Sequence, residues 1–296
     1  MASPRVISPE LLLWSQSLLL WSFAAYGVMA DPLREETAYI RRARWVLLLS
    51  SRAIAAAVLS YAISRSMALS GFLLFTIFLQ SFLRYRLPMR VLAEFESFWI
   101  AAFLVSGLAV IRQFHLAPRW VPGSISPAQL AALCILVSTL IVVVRGGTYI
   151  VRGILRKSGT LPSENRHSVS PEPSTASSHL PESPHAVGSP TTMAASADGP
   201  DGTTVDVEEY NRGRLIGNLE RILLTIVVAA GSYAALAFLV AAKGVVRSDE
   251  FDKNRHFAEY FLVGSLSSVL VALCAGIALR FALIRLWPDL LSLQIQ

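Results

Sequence analysis

Apolar residues in this chain fall into long unbroken blocks. They lack the spacing of three to four that marks a one-faced helix and the alternation that marks a half-buried strand. Seven blocks stand out, at residues 11–29, 45–63, 67–83, 98–111, 128–144, 222–242 and 257–279. Most approach the roughly 20 residues that a helix needs to cross a ~30 Å hydrocarbon layer. Without water each backbone amide must find its partner within the chain, and continuous Leu, Ala, Val and Ile runs satisfy that as helices. A barrel would need short strands of alternating polarity instead. The pattern predicts an all-α, integral membrane helical bundle of about seven transmembrane helices. The block at 98–111 is the shortest, closely bounded by Glu96 and Arg112, and spans only if its flanks extend it.

Composition agrees with this class. Of 296 residues, 54% are hydrophobic and only 16% charged, with a mean hydropathy of +0.53, which excludes an ordinary soluble enzyme. The net charge of +6 would suit nucleic acid, but the Lys and Arg residues flank the apolar blocks, where they orient membrane proteins. The expected partners are therefore the lipid bilayer and a second membrane protein or another copy of the chain, and not nucleic acid. With seven spans, seventeen of the 26 positive residues fall on one side and eight on the other, leaving Arg52 inside the second block. The richer side belongs in the cytoplasm. This predicts an inner-membrane protein with an external N-terminus and a cytoplasmic C-terminus. The last external loop, carrying Lys243, Arg247, Lys253 and Arg255, fits the rule poorly.

Between the fifth and sixth blocks the composition turns to Ser, Pro, Thr, Gly and Ala, too poor in large apolar side chains to offset its ordering entropy. The chain divides into a five-helix unit at 1–157, a disordered cytoplasmic linker at 158–205 and a two-helix hairpin at 206–296. Asp206 and Glu209 have capping-box spacing, so a helix should start near Val207. The first block resembles a secretory signal ending at Val28-Met29-Ala30, but its length and its Ser15, Gln16 and Ser17 favour a retained helix. Cys134 and Cys274 lie inside apolar blocks, and five histidines give too few ligands for a metal site. No phosphate-loop, zinc-protease, nucleophile-elbow or dinucleotide pattern occurs. No metal, cofactor or catalytic residue is expected.

A few polar positions within or beside the blocks are candidates for function. Arg52 lies about two turns inside the second block, where it either snorkels toward the headgroups or faces inward. Facing inward, its company would be Ser15, Ser22 and Tyr26 on one face of the first helix, and Thr76 and Gln80 on the third. Glu220 and Arg221 open the sixth block, Lys243 closes it, and Glu259 with Tyr260 opens the seventh. If the last two blocks form an antiparallel hairpin, Lys243 can pair with Glu259, with Glu220 and Arg221 at the opposite face. Small residues recur at helical spacing as Ala230, Ala234, Ala237 and Ala241, and again as Gly264, Ser268, Ala272 and Gly276. Such smooth faces let helices approach closely in lipid, either as static packing or as a sliding contact.

The stretch Gly213-Arg214-Leu215-Ile216-Gly217-Asn218-Leu219-Glu220-Arg221, followed by Ala241-Ala242-Lys243 and by Ala258-Glu259-Tyr260, resembles the C-terminal half of an uncharacterised bacterial family of multi-pass membrane proteins, domain of unknown function 3307. The likeness covers residues 212–280. Matching positions are Gly213, Gly217, Glu220, Arg221, Lys243, Glu259, Tyr260 and Gly264. The N-terminal half departs from the family. No His lies between Trp21 and Asp31, and Glu94-Phe95-Glu96 stands where an Asp-Gln pair is expected. The resemblance implies a multi-pass membrane fold and lends no activity. The sequence favours a non-enzymatic structural or regulatory role through protein contacts. The alternatives are a small-solute or ion transporter using Arg52, Gln80 and Glu220, and a membrane-embedded enzyme acting on lipid.

Overall fold

The computed structural model describes residues 7–26, 38–119, 125–158, 207–246 and 255–287. These form helices and no strands. The helices are α1 (Pro9–Tyr26), α2 (Ala38–Ser64), α3 (Met67–Arg86), α4 (Leu92–Gln113), α5 (Pro127–Ile141), α6 (Gly147–Ser158), α7 (Val207–Ala230), α8 (Tyr233–Val246) and α9 (Arg255–Leu286). A π-helical turn, Val142–Gly146, joins α5 to α6. Five helical stretches are long and apolar enough to cross a membrane: Val46–Ser64, Met67–Arg86, Leu92–Gln113, Pro127–Ser158 and Phe261–Leu286. The short fourth block is thus the middle of a 22-residue helix. The linker and the 28–30 cleavage motif lie outside the described residues.

Local chemistry explains where these helices begin and stop. Ser126 accepts from the Gln129 amide and Gln129 reaches back to the Ser126 amide, with Pro127 opening the helix, so α5 starts on a full capping box. Ser66 caps α3 by accepting from the Leu69 amide. α4 closes with His115 at φ 49°, its amide donating to Arg112 O while the Leu116 amide donates to Ile111 O. That is the Schellman pattern with His where Gly is usual.

α1 is the best covered of the N-terminal helices. Ser15, Gln16, Ser17 and Ser22 are all buried, because α1 runs through the middle of the bundle against α2, α3, α4 and α5. Trp21 of α1 stacks on Phe103 of α4 at 4.1 Å and meets Tyr26 edge-on, and Trp14 Nε1 donates to Leu104 O. Outside this core large apolar side chains point away from the protein, among them Phe75, Phe98, Val105, Phe238 and Phe281. Such a surface suits lipid, since soluble monomers rarely expose so large an apolar area.

Contacts fix the helix directions. Leu13, Leu69 and Ile111 cluster where α1 and α3 begin and α4 ends, here named the upper end. Tyr26, Arg84, Glu96 and Gly146 meet at the lower end. Hence α1, α3 and α5 run downward and α4 upward.

The sixth block departs from the sequence expectation. Residues 222–242 do not form one span but a helical hairpin broken at Gly231. Gly231 has φ 80°, its amide donates to Val228 O and the Ser232 amide to Val227 O. This Schellman closure satisfies carbonyls that would otherwise end unpaired at membrane depth. α8 then returns along α7, and Lys243 comes back to form an ion pair with Glu220. Glu220 and Lys243 therefore share one end, and not opposite membrane faces as the sequence predicts.

With α8 running back, α9 lies parallel to α7 and not antiparallel as expected. Val271 sits beside Arg221, Gly276 against Thr225 and Val228, and Arg280 at Ala229 and Gly231. α9 ends at the upper end, where Leu283 and Leu286 cluster with Leu12 and Ala131. The start of α1 and the finish of α9 thus lie at the same end, correcting the expectation of opposite sides.

Close helix crossings depend on missing side chains. A Cβ on Gly153 would lie 2.4 Å from the Ala93 backbone nitrogen, whereas one on Gly71 would meet nothing within 4 Å. Gly153→Ala should therefore separate α6 from α4 and cost about 1–3 kcal/mol by overpacking. Gly71→Ala should be neutral or gain up to about 1 kcal/mol from helix propensity. Thermal midpoints of both variants in detergent check this, and equal midpoints would contradict the crossing.

Candidate functional site

Two buried arginines lie on either side of the π-helical turn at the lower end. The first cluster is built by four helices. Gln80 and Arg84 are one turn apart on α3, Tyr26 closes α1, Glu96 lies one turn into α4 and Tyr149 lies in the first turn of α6. Arg84 donates to Glu96 with a fork of two bonds, Nε to Oε2 at 2.9 Å and Nη2 to Oε1 at 2.5 Å. Gln80 Nε2 donates to Glu96 Oε1 at 3.0 Å, and the Tyr26 hydroxyl donates to the same oxygen. The remaining nitrogen, Arg84 Nη1, donates to Ala25 O at 3.0 Å and so occupies a carbonyl in the last turn of α1. The Tyr26 and Tyr149 rings flank the guanidinium, with centroids 4.6 and 4.7 Å from Cζ.

The planar fork and the two ring faces explain why this cation is Arg, since Lys offers neither bidentate geometry nor a flat surface. Glu96 and Gln80 are fully covered and Arg84 is buried. Glu96 receives four hydrogen bonds, three at Oε1 and one at Oε2, where each carboxylate oxygen offers about two lone-pair sites. The carboxylate is held by groups from its own chain, and its chemistry is that of a structural counter-ion.

The second cluster centres on Arg221 of α7, which is 5% exposed. Its Nε donates to Gly217 O at 3.1 Å, and Nη2 donates to Thr148 Oγ1 at 3.2 Å and Asn218 Oδ1 at 3.0 Å. Nη1 is buried without a hydrogen-bond partner. The π turn serves both clusters. It brings Gly146 against the Tyr26 ring, where a Cβ would lie 3.3 Å from the nearest ring carbon, and Gly147 against the Arg221 guanidinium, where one would lie 2.8 Å from Nη1. At one end of this surface Lys243 bridges Glu220 and the Phe261 ring, 5.3 Å from its centroid.

The residues singled out in the sequence are distributed differently from expectation. Gln80 and Tyr26 do converge, but on Arg84 and Glu96; Arg52 lies half-buried on α2, outside the cluster. Glu220 and Lys243 pair, and Arg221 faces α6. Glu259 is exposed, and the side chain of Tyr260 lies outside the described residues. The small residues separate: Ala230 ends α7, whereas Ala234, Ala237 and Ala241 are exposed on α8 instead of facing α9. On α9, Gly264 lies near Leu155, Gly276 lies against Val228, and Ser268 and Ala272 are buried. Cys134 is buried and Cys274 exposed, both unbonded to each other. No set of three His, Cys, Asp or Glu residues capable of holding a metal ion occurs among the described residues.

Sequence reasoning misses Glu96, Arg84 and Tyr149, because in sequence Glu96 only bounds the fourth block and Arg84 is one of the charges flanking the third. The available signal was the step of four from Gln80 to Arg84, followed across the Pro88 turn by Glu96 one turn into the next helix.

Comparison with family models, with characterised proteins and with solved structures finds no match. The site must be read from its own geometry.

Removing one partner of a buried pair leaves the other charge uncompensated, typically about 3–5 kcal/mol. Arg84→Met and Glu96→Leu should each lower the thermal midpoint strongly in detergent. The double variant should recover much of the loss, because an apolar pair leaves no stranded charge. Additive losses in the double variant would show that the two side chains act independently.

Proposed function

We propose that this chain is a non-enzymatic, multi-pass protein of a bacterial-type inner membrane that acts through contacts with another membrane protein or a second copy of itself. The observation that carries this reading is the pairing of Glu96 with Arg84. Glu96 is fully buried, and its four hydrogen bonds, three at Oε1 and one at Oε2, come from Arg84, Gln80 and Tyr26 of its own chain. A proton relay or a solute site needs a buried charge that is not committed to an internal ion pair. Here the charge instead ties α1, α3, α4 and α6 into one rigid end. A transporter is the second reading, favoured by the broken α7–α8 hairpin, because interrupted helices are a device by which transporters bring backbone groups to membrane depth.

The hairpin also bears on orientation. With α8 returning to the lower end, the segment carrying Lys243, Arg247, Lys253 and Arg255 joins the side of the long linker, and Arg280 and Arg285 join the other. Nineteen positive residues then fall on the lower side and six on the upper, with Arg52 between them. The poorly fitting external loop disappears, and the imbalance grows from seventeen against eight. The positive-inside rule then favours a cytoplasmic linker with the start of α1 and the finish of α9 both external.

Orientation is tested in intact cells, in a background with Cys134 and Cys274 replaced by serine. Ser292→Cys should react with an impermeant maleimide and Ser189→Cys should not; the reverse pattern overturns the assignment. For the role, photocrosslinkers placed at Ala237 and Phe238 should give discrete protein adducts in native membranes. If instead the purified, reconstituted chain carries ion or solute flux that Glu96→Gln abolishes, the transporter reading replaces this one.

A further inference from the structure

Arg84 and Arg221 are buried in protein, but a third arginine within the spans is not. Arg52 lies six residues beyond Val46 in the apolar stretch Val46–Ser64 of α2, about 9 Å from its start. It is half-buried and, among the described residues, has no hydrogen bond, ion pair or ring contact. The inward company open to it in sequence is committed elsewhere. The Ser15, Ser22 and Thr76 hydroxyls donate to carbonyls of their own helices, and Tyr26 and Gln80 donate to Glu96. A guanidinium in lipid without an internal anion is costly, so its counter-charge comes from outside the chain.

The direction of α2 narrows the source of that anion. Ile63 packs with Leu69 in the upper cluster, so α2 rises from the lower end to the upper. Helical side chains lean toward the helix N-terminus, which for Arg52 is downward, to the nearer edge of its span. The long stem carries the charge back along the helix to the headgroups there. This contact needs no cavity, because lipid itself lies against the open side of α2. The helix packs on α1 and α3, and Ala55 and Leu59, one and two turns above Arg52 on the same face, are both exposed. Ala55 is small, so an acyl chain fits close to the helix directly above a phosphate held by Arg52. A carboxylate on a partner helix would itself have to be buried in lipid, whereas the phosphate already lies at the edge of the layer.

We propose that Arg52 is a lipid-binding residue: its guanidinium holds the phosphate of a lower-leaflet phospholipid whose acyl chain runs up α2 over Ala55 and Leu59. Guanidinium and phosphate form charge-assisted, often paired hydrogen bonds, and a cation near the membrane surface favours anionic lipid.

The test uses the full chain in neutral detergent, with native mass spectrometry of retained lipid and the thermal midpoint as readouts. Three additions are compared: phosphatidylglycerol, dioleoylglycerol, which has acyl chains but no phosphate, and inorganic phosphate. Phosphatidylglycerol should be retained, and inorganic phosphate should not displace it. In Arg52→Leu its retention should fall about tenfold or more, as for loss of a charged hydrogen bond. Arg52→Lys should restore part of it, and Arg86→Met, which removes an exposed cation from the same end, should leave it unchanged. Because Arg52→Leu removes no contact within the chain, its midpoint without lipid should match the parent's; a large drop would reveal an internal partner and overturn the proposal. Unchanged retention in Arg52→Leu, equal losses in the Arg52 and Arg86 variants, Arg52-dependent retention of dioleoylglycerol or displacement by inorganic phosphate would each overturn it as well. If a photocrosslinker at Ser51 in native membranes captures a protein, and Arg52→Leu abolishes that adduct, an acidic partner helix takes the place of the lipid.

Discussion

Inside hydrocarbon no water completes a hydrogen bond, so every polar group of this chain must find its partner in the chain, in the lipid headgroups or in another protein. That constraint shapes the structure from backbone to side chains. It makes the spans helical and forces the break at Gly231 to close its own carbonyls through the Val227 and Val228 bonds. It also explains why Arg84 is found with a carboxylate, a backbone carbonyl and two aromatic faces. Each ring over a desolvated guanidinium adds about 0.5–2 kcal/mol. A polar network that holds Arg84 and Glu96 from three helices rigidifies the helices that contribute to it, although Gln80 Oε1 is left without a hydrogen-bond partner.

The π-helical turn connects that rigid end to the C-terminal helices. By inserting an extra residue into the turn it sets Gly146 toward α1 and Gly147 toward α7, so one irregular step in one helix serves both buried arginines. Of the C-terminal helices, α8 is the least tightly held. α8 packs mainly on α7, and most of its residues face outward. Arg280, placed at Gly231 and donating to Ala229 O, sits at the carbonyl end of α7, where the helix dipole favours a cation. The hairpin is therefore anchored at both its ends by charge and along its length by the small residues of α9.

Much of this was legible in the sequence because a membrane simplifies the code. Length and hydropathy alone identify α2, α3, α4, α5 and α9, and a helix does start at Val207, where the spacing of Asp206 and Glu209 predicts one. The failures have physical causes. Hydropathy does not distinguish a helix that crosses from two that meet, since Ala230-Gly231-Ser232 is apolar or small throughout. The better clue was electrostatic. Glu220 and Lys243 are nearly equidistant from Gly231, and the supposed external loop held too many cations. α1 can carry Ser15, Gln16, Ser17 and Ser22 buried because it faces protein and not lipid. Arg84 was hidden because a flanking arginine in sequence looks the same whether it faces headgroups or turns inward to a glutamate on the next helix.

The claim on which the orientation and the hairpin both rest is that Glu220 and Lys243 meet. In a chain lacking its native cysteines, Glu220→Cys and Lys243→Cys should join rapidly and within one molecule when native membranes are treated with a mild oxidant. A continuous helix would hold these positions about 35 Å apart at 1.5 Å per residue. Failure to form that bond, with both cysteines reactive to small maleimides, would contradict the account.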